Sequence, residues 1–322
     1  MKTALICGVS GQDGAYLAKL LLEKGYRVIG TSRDAQGSSF TNLERLSILD
    51  SIERESMLIA DFRSTLQVLK KTKPDEVYNL AGQTSVELSF RQPIEAVESI
   101  SIGTLNLLES IRFLEFDTRI YNASSGECFG DIGTAAATET TPFHPRSPYA
   151  VAKAAAFWAT VNYREAYGLF AASGILFNHE SPLRPDRFVT KKIVNAACNI
   201  KAGRQGSLHL GNLAVQRDWG WAPDYVEAMW RMLQHSVADD FVIATGISHS
   251  LQDFVAAAFF ELGLDWKDFV ETDSQFFRPS EIMCSKGNAD KARTDLGWQP
   301  AHTMPDVVRL MVGEEMSRSV KG

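Results

Sequence analysis

A tyrosine and a lysine four residues apart, Tyr149 and Lys153, are the side chains of this sequence best arranged for proton transfer. They follow Pro148 in an alanine-rich run whose apolar residues recur every three to four positions, which predicts a helix ending near Gly168. Because residues four apart share a helix face, the ammonium should lie beside the phenol and hold the pKa of Tyr149 below its ordinary value of about 10. Such a phenol is a usable general base, although this spacing also arises by chance between a buried tyrosine and an exposed lysine.

Three glycines separate the first apolar run from the first helical pattern. Residues 3–7 are apolar, Gly8, Gly11 and Gly14 follow, and helical spacing begins directly afterwards. This strand, turn and helix order predicts a dinucleotide site, where backbone N–H groups and a helix N-terminus meet a pyrophosphate. A plain tight turn is the alternative interpretation.

The end of the second predicted strand indicates which dinucleotide is bound. Residues 27–31 are strand-like, and no acidic side chain follows at the position that would accept the ribose 2′-hydroxyl of NAD. Arg33 lies there instead, and a guanidinium suits a 2′-phosphate. We therefore predict NADP as the cofactor, with Asp34 as a neighbour that could compete for Arg33.

Strand and helix patterns alternate through the following residues. Further strands are predicted at 57–61, 75–82, 119–125 and 172–177, helices at 64–71 and 93–114, and a polar loop at 37–45. This alternation predicts an α/β fold with a doubly wound parallel (Rossmann) sheet, whose ligands lie at the carboxyl ends of the strands. Ser125 and Glu127 emerge at that edge.

The alternation of strand and helix patterns becomes less regular after residue 176. We predict that residues 1–176 form an NADP-binding Rossmann domain to which 215–247 return, and that 177–214 and 248–322 form a smaller C-terminal substrate-binding lobe. Cations accumulate in this second half of an otherwise acidic chain: Arg184, Arg187, Lys191, Lys192, Lys201, Arg204, Arg217 and Arg278. Such a run is usually a solvated face, but arginines could also hold a diphosphate.

Composition excludes several classes of protein. The 322 residues are 45% hydrophobic and carry a formal net charge of -6, which argues against a general nucleic-acid or anionic-membrane surface. The sequence passes directly from its first residues into a strand, and no apolar run approaches the ~20 residues of a membrane helix, so we expect a cytoplasmic protein. The four cysteines lack disulfide or metal-ligand spacing, and we predict reduced thiols and no metal.

Several motifs together resemble the extended short-chain dehydrogenase/reductase superfamily: the glycine turn, the serine at a strand end and Tyr-x-x-x-Lys. The segments 8–14, 145–153, 174–182 and 217–220 are similar to those of the GDP-mannose 4,6-dehydratase family, and the resemblance covers nearly the whole chain. It implies a carbon–oxygen lyase of nucleotide-sugar metabolism that removes water from GDP-mannose without net oxidation, giving GDP-4-dehydro-6-deoxy-mannose.

The resemblance also implies a role for each matching residue. Tyr149, assisted by Lys153, would take the 4-hydroxyl proton while hydride leaves C4 for NADP, and Ser125 would donate to the C4 oxygen. Glu127 would remove the C5 proton and help expel the 6-hydroxyl before the hydride returns at C6. The implied cofactor-binding residues are Gly8, Gly11, Gln12, Asp13, Gly14, Arg33, Asp61, Phe62, Leu80, Tyr149 and Lys153. The implied substrate-binding residues are Ser85, Asn178, Lys192, Arg217, Arg278 and Glu281.

Three departures from the family pattern bear on the substrate. Ser125-Gly126-Glu127 stands where the family usually has Thr-Ser-Glu, Ser85 replaces a larger side chain, and Glu87 replaces a small one. We therefore hypothesise that the accepted sugar is wider than mannose, for instance a GDP-manno-heptose.

Two other functions are compatible with the same fold. An NADPH-dependent GDP-4-keto-6-deoxy-sugar reductase would need Ser125, Tyr149 and Lys153 but not Glu127, and a non-catalytic dinucleotide-binding protein would need none of them. The helices predicted at 93–114 and 149–168 resemble those through which the superfamily dimerises. We expect a homodimer or homotetramer, with the loop 33–42 reaching a neighbour in the tetramer.

Overall fold

The apolar run at the start of the chain becomes a central strand of the large sheet. The computed structural model describes residues 1–276 and 280–321. Within these residues the strands are β1 Thr3–Cys7, β2 Arg27–Ser32, β3 Glu53–Ser56, β4 Glu76–Asn79, β5 Arg119–Ser125, β6 Ala171–Leu176, β7 Asn178–Glu180, β8 Leu208–Leu210, β9 Gln216–Trp221, β10 Phe241–Ile243, β11 Ser248–Ser250, β12 Val270–Thr272 and β13 Cys284–Ser285.

The large sheet is parallel throughout its described strands, in the order β10-β6-β5-β4-β1-β2-β3. A second sheet has β9 between β11 and β13, and β7 pairs with β9 as well. β8 and β12 form a separate parallel pair. The predicted doubly wound α/β sheet is confirmed, and its strands end towards the smaller sheet's β7 and β9.

Helices connect these strands. They are α1 Gln12–Glu23, α2 Thr41–Arg45, α3 Phe62–Thr72, α4 Val86–Arg91, α5 Pro93–Ala96, α6 Gly103–Leu114, α7 Pro148–Tyr167, α8 Val189–Lys201, α9 Ala222–Gln234, α10 Leu251–Phe260, α11 Asp290–Leu296 and α12 Met304–Lys321. A π-helical segment, Val97–Ile102, joins α5 to α6 without a break.

The strands of the large sheet are buried on both faces, as a parallel sheet requires. Along β1, Ala4 and Ile6 pack on one side with α1 and α9, whereas Leu5 and Cys7 pack on the other with α3 and α6. Successive side chains of a strand point to opposite faces, so one short apolar run serves two cores. A third core lies among α8, α10 and α12.

A buried carboxylate, Glu76, links several elements at the amino ends of the strands of the large sheet. Glu76 accepts hydrogen bonds from Lys2 Nζ at 2.8 Å, Tyr26 OH at 3.1 Å, Tyr78 OH at 2.7 Å and Gln234 Nε2 at 3.1 Å. Burial, together with the Glu76 charge, raises the pKa of Tyr78. The network joins β4 to β1, the start of β2 and α9.

Two local predictions are wrong. The strand predicted at 57–61 lies earlier, at Glu53–Ser56, because an edge strand pairing only with β2 can be polar, while Met57 and Ile59 are buried beyond its end. The loop predicted at 37–45 contains the short helix Thr41–Arg45.

The proposed division into lobes stays a prediction. β9 lies in the small sheet, whereas α9 packs on α1 and β10 joins the edge of the large sheet. No helix in the described part of the chain is both long and apolar enough to cross a membrane.

Candidate active site

A cleft of about 830 Å³ opens at the carboxyl ends of β4, β5 and β6, facing β7 and β9. Its lining includes the four predicted catalytic side chains, Ser125, Glu127, Tyr149 and Lys153. This is the edge at which a parallel α/β sheet holds its ligands. Residues from the end of β5 and from one helix therefore meet in one cavity.

The end of β5 sets the positions of Ser125 and Glu127. A short 3₁₀ turn, Gly126–Phe129, follows the strand, and Ser125 Oγ accepts a hydrogen bond from the Glu127 amide at 3.2 Å. This contact caps the turn, so that both side chains line the cleft within three residues.

The start of α7 sets the positions of Tyr149 and Lys153. Ser147 Oγ accepts from the Ala150 amide at 3.1 Å, and Pro148 occupies the first turn, where its missing N–H costs nothing. Gly168 ends the helix in the left-handed conformation with φ 70°. The predicted helix is confirmed, with Tyr149 in its first turn.

The predicted lowering of the Tyr149 pKa is wrong. Burial raises the pKa of Tyr149 above its usual value, against an opposing hydrogen bond from Ser125. Burial also lowers the pKa of Lys153 to about 8. Lys153 Nζ donates to the Ala123 carbonyl at 2.6 Å and lies 5.9 Å from the centroid of the Tyr149 ring.

The glycine turn is closely packed between β1 and α1. Gly8 has φ +87°, and a Cβ there would lie 3.0 Å from the Leu80 carbonyl oxygen. A Cβ at Gly14 would lie 2.4 Å from the Gly8 carbonyl oxygen, and the Gly11 amide donates to that oxygen at 3.1 Å. Side chains would push the turn apart, so these glycines have the spacing that a pyrophosphate site needs.

The predicted 2′-phosphate residue, Arg33, is open to solvent. Its side chain is 82% exposed, and its nearest carboxylate, Glu95, is 3.9 Å away. Asp34 does not compete for it, because Asp34 accepts from the amides of Gly37 and Gln36, which lower its pKa.

The other predicted cofactor residues fall into two groups. Asp61 caps α3 by accepting from the Ser64 amide at 2.6 Å, and Phe62 is 37% exposed beside it. Leu80, at the end of β4, lines the cleft, as does Asp13, whereas Gln12 is buried.

Predicted substrate residues from the small sheet reach the same cleft. Arg217 is 6% exposed, donates to the Ile282 carbonyl at 2.8 Å and lies 3.3 Å from Glu281 Oε1. Asn178 begins β7 and pairs with Trp219 of β9.

Two more predicted substrate residues line the cleft from loops and helix ends. Lys192 donates to the His209 carbonyl at 2.8 Å, and burial lowers its pKa. Ser85 caps α4 by accepting from the Leu88 amide at 3.2 Å. Arg278 lies outside the described residues.

The chain is similar to known proteins over nearly its whole length. The sequence model of the GDP-mannose 4,6 dehydratase family matches residues 5–311. The chain belongs to this family. It is 46% identical to GDP-mannose 4,6 dehydratase 1 of Arabidopsis thaliana, over 98% of this chain and 90% of that protein. The predicted family is therefore confirmed.

Solved structures agree on the fold of this dehydratase-family chain. The dTDP-glucose 4,6-dehydratase of Bacillus anthracis in complex with NAD has a TM-score of 0.85 at 21% identity, covering 100% of this chain and 98% of that one. RMD of Pseudomonas aeruginosa complexed with NADPH has a TM-score of 0.83 at 24% identity, covering 99% and 100%.

Arg184 is one of the cleft residues of this family member that were not predicted as site residues. Arg184 appeared only in the general cationic cluster, yet it lines the cleft, with Nε 3.1 Å from Glu180 Oε2 and its guanidinium 3.8 Å from the Phe188 ring centroid. Glu180 is 1% exposed and accepts from Thr190. The available signal was Glu180, an acidic residue three positions after the apolar run 172–177, because a buried carboxylate needs a partner.

Proposed function

We propose that this chain catalyses the redox-neutral 4,6-dehydration of GDP-mannose to GDP-4-dehydro-6-deoxy-mannose. The observation that carries the proposal is the meeting of Ser125, Glu127, Tyr149 and Lys153 in one cleft of a GDP-mannose 4,6-dehydratase family member. Hydride transfer at C4 needs Ser125, Tyr149 and Lys153, and elimination across C5 and C6 needs the Glu127 carboxylate.

Each side chain has a step. A bound nicotinamide dinucleotide supplies the acceptor and later the donor of hydride. Tyr149 takes the proton of the sugar 4-hydroxyl, and Ser125 hydrogen-bonds that oxygen. The C4 ketone makes the C5 proton acidic, so Glu127 removes it and delivers a proton to the departing 6-hydroxyl. The C5 proton and the 6-hydroxyl together leave as water. Hydride then returns at C6 while Glu127 passes a proton from solvent to C5, which balances the proton that Tyr149 took from the 4-hydroxyl, and Lys153 assists Tyr149.

The cofactor that fits this chain is NADP. The closely packed turn around Gly8 and Gly14 suits a pyrophosphate, and the exposed Arg33 guanidinium suits a 2′-phosphate. Asp61 and Phe62 would border the adenine, and Lys153 would hold the nicotinamide ribose. Among proteins of this fold, the structures compared above contain NAD or NADPH.

The substrate side of the proposal uses Asn178, Lys192, Arg217, Glu281 and Ser85. Lys192, Arg217 and the Glu281 carboxylate beside Arg217 would contact the diphosphate and the nucleoside. Arginine is well suited to this role because it makes bidentate contacts with phosphate. Arg278 is assigned to the same ligand from the sequence alone.

A wider sugar is a second candidate substrate. The Phe177 ring fills the space beside Gly126, where it would lie 3.1 Å from a Cβ, so the absence of a side chain at Gly126 does not itself widen the cleft and the support for a wider sugar comes from Ser85. Ser85 is small, and its hydroxyl is held by the α4 cap. GDP-manno-heptose would then be accepted, and a kcat/KM for GDP-mannose equal to or above that for the heptose would contradict this.

The test of the reaction is mass analysis after incubation with GDP-mannose and catalytic NADP. The expected product is lighter by one water, with no net nicotinamide reduction. Replacing Glu127 by Gln should lower product formation by about two to four orders of magnitude. A one-way reductase would consume NADPH and tolerate that change, and the family match does not favour it.

We further propose a cytoplasmic homodimer, with a tetramer built through the loop 33–42. An apolar face on the α5 to α6 helix and on α7 supports the dimer, with Ile94, Phe113, Val151, Trp158 and Tyr167 each more than half exposed. The four buried free cysteines suit a reducing compartment. Sedimentation showing only monomer at micromolar concentration would contradict the assembly.

A further inference from the structure

Two motifs far apart in the sequence satisfy each other's polar groups. Gln12 and Asp13 begin α1 at the glycine turn, and His179 and Ser181 lie in and just after β7. Ser181 Oγ donates to Gln12 Oε1 at 2.7 Å, and Gln12 Nε2 donates to the His179 carbonyl at 3.1 Å. His179 Nε2 contacts Asp13 Oδ2 at 2.8 Å. The side chains of Gln12 and Asp13 are thus held by the protein itself.

The contact between His179 and Asp13 is an ion pair. The Nδ1 atom of His179 faces the Phe177 carbonyl at 2.7 Å, and Nε2 faces a carboxylate, so both ring nitrogens must donate and the imidazole carries a positive charge. Burial alone would lower the pKa of His179, but Asp13 outweighs it and the pKa is raised. Asp13 in turn has a lowered pKa because His179 outweighs its burial.

The ring of His179 is also fixed in orientation. It stacks on Tyr225 of α9 with centroids 4.5 Å apart and an interplanar angle of 25°. His179 is 8% exposed and Ser181 is fully buried. Neither residue can turn away from the glycine turn without breaking these contacts, so β7 and the turn must move together.

β7 connects this contact to the opposite side of the cleft. It runs parallel to β9, with Asn178 beside Trp219 and His179 beside Gly220. Arg217 is two residues before Trp219 on the same strand, and its guanidinium lies in the cleft. A displacement of His179 is therefore passed directly to the strand that carries Arg217.

We propose that Gln12, Asp13, His179 and Ser181, here named the turn–strand lock, act as positioning residues that couple dinucleotide binding to nucleoside-diphosphate binding. The inference rests on the proposed function, which supplies the two ligand classes. A ligand that orders the glycine turn also orders β7 through the lock, so the second ligand meets a strand that is already fixed. By reciprocity, each ligand strengthens the binding of the other by the same factor.

Calorimetric titration of the full chain measures this factor, with GDP and NADP⁺ as the two probes. In the wild type, GDP should bind at least about fivefold more tightly when NADP⁺ is saturating. His179→Phe keeps an aromatic ring against Tyr225 but removes both ring N–H donors of the lock, and it should reduce the factor to below about two while each probe still binds alone. Ser181→Ala removes the hydrogen bond to Gln12 and should give an intermediate factor, and it provides the test if His179→Phe does not fold.

A matched control separates coupling from stability. Glu315→Gln neutralises one partner of a buried pair within the small lobe, where Lys191 Nζ lies 2.7 Å from Glu315 and Lys191 is 3% exposed. It should lower the melting temperature and leave the coupling factor unchanged. The proposal is overturned if wild-type GDP and NADP⁺ bind independently, or if His179→Phe keeps the wild-type factor. Binding of neither probe to the wild type would refute the proposed function as well.

Discussion

The pH dependence of the reaction should be set by the Tyr149 and Lys153 pair. Both side chains are protonated at low pH, and the base form of the pair has lost one proton. Burial lowers the pKa of Lys153 to about 8 and raises that of Tyr149, so the two side chains together lose their first proton near pH 8. The fraction of the pair that has lost a proton is then about 9% at pH 7 and about 90% at pH 9, which predicts a roughly tenfold rise in kcat/KM.

The assay is kcat/KM for GDP-mannose between pH 6.5 and 9.5. Lys153→Arg keeps a charge that does not titrate in this range, so only Tyr149 can lose a proton and the rise should move to higher pH. Tyr149→Phe should abolish activity at every pH. A wild-type profile that is flat or falls between pH 7 and pH 9, or a Lys153→Arg profile with the same midpoint, would refute the reasoning.

Two further outcomes test the fold and the cofactor. Glu76→Ala leaves the buried hydroxyl of Tyr78 and the ammonium of Lys2 without their acceptor, and should lower the free energy of unfolding by about 2–3 kcal/mol in urea denaturation; a loss below 0.5 kcal/mol would mean that water replaces the carboxylate. Arg33→Ala removes the exposed guanidinium and should weaken NADP⁺ binding about tenfold with little effect on NAD⁺; equal effects on the two dinucleotides would assign Arg33 no part in reading the 2′-phosphate.

The fold and the catalytic side chains could be predicted where the signal is local. The helix from Pro148 to Gly168 carries its own start and stop residues, and the glycine turn sits between an apolar strand and a helical pattern. β3 was misplaced because an edge strand needs no apolar run, while buried Met57 beyond its end resembled one.

Features that depend on burial or on distant partners could not be predicted. The spacing of Tyr149 and Lys153 indicates proximity, but it does not reveal that Lys153 donates to the Ala123 carbonyl, or that burial of Tyr149 raises the pKa of the phenol instead of lowering it. In the same way, the turn–strand lock joins residues 166 positions apart, and neither Asp13 nor His179 identifies the other in the sequence.

The central claim is that hydride leaves C4 and the same hydride returns at C6 while Glu127 removes the C5 proton. Incubation of the enzyme with GDP-[4-²H]mannose and catalytic NADP in ordinary water tests it directly. The product should be lighter than the substrate by one H₂O and should retain the deuterium at C6, and Glu127→Gln should suppress its formation. Deuterium accumulating in NADPH, or lost to solvent, would contradict the redox-neutral dehydration.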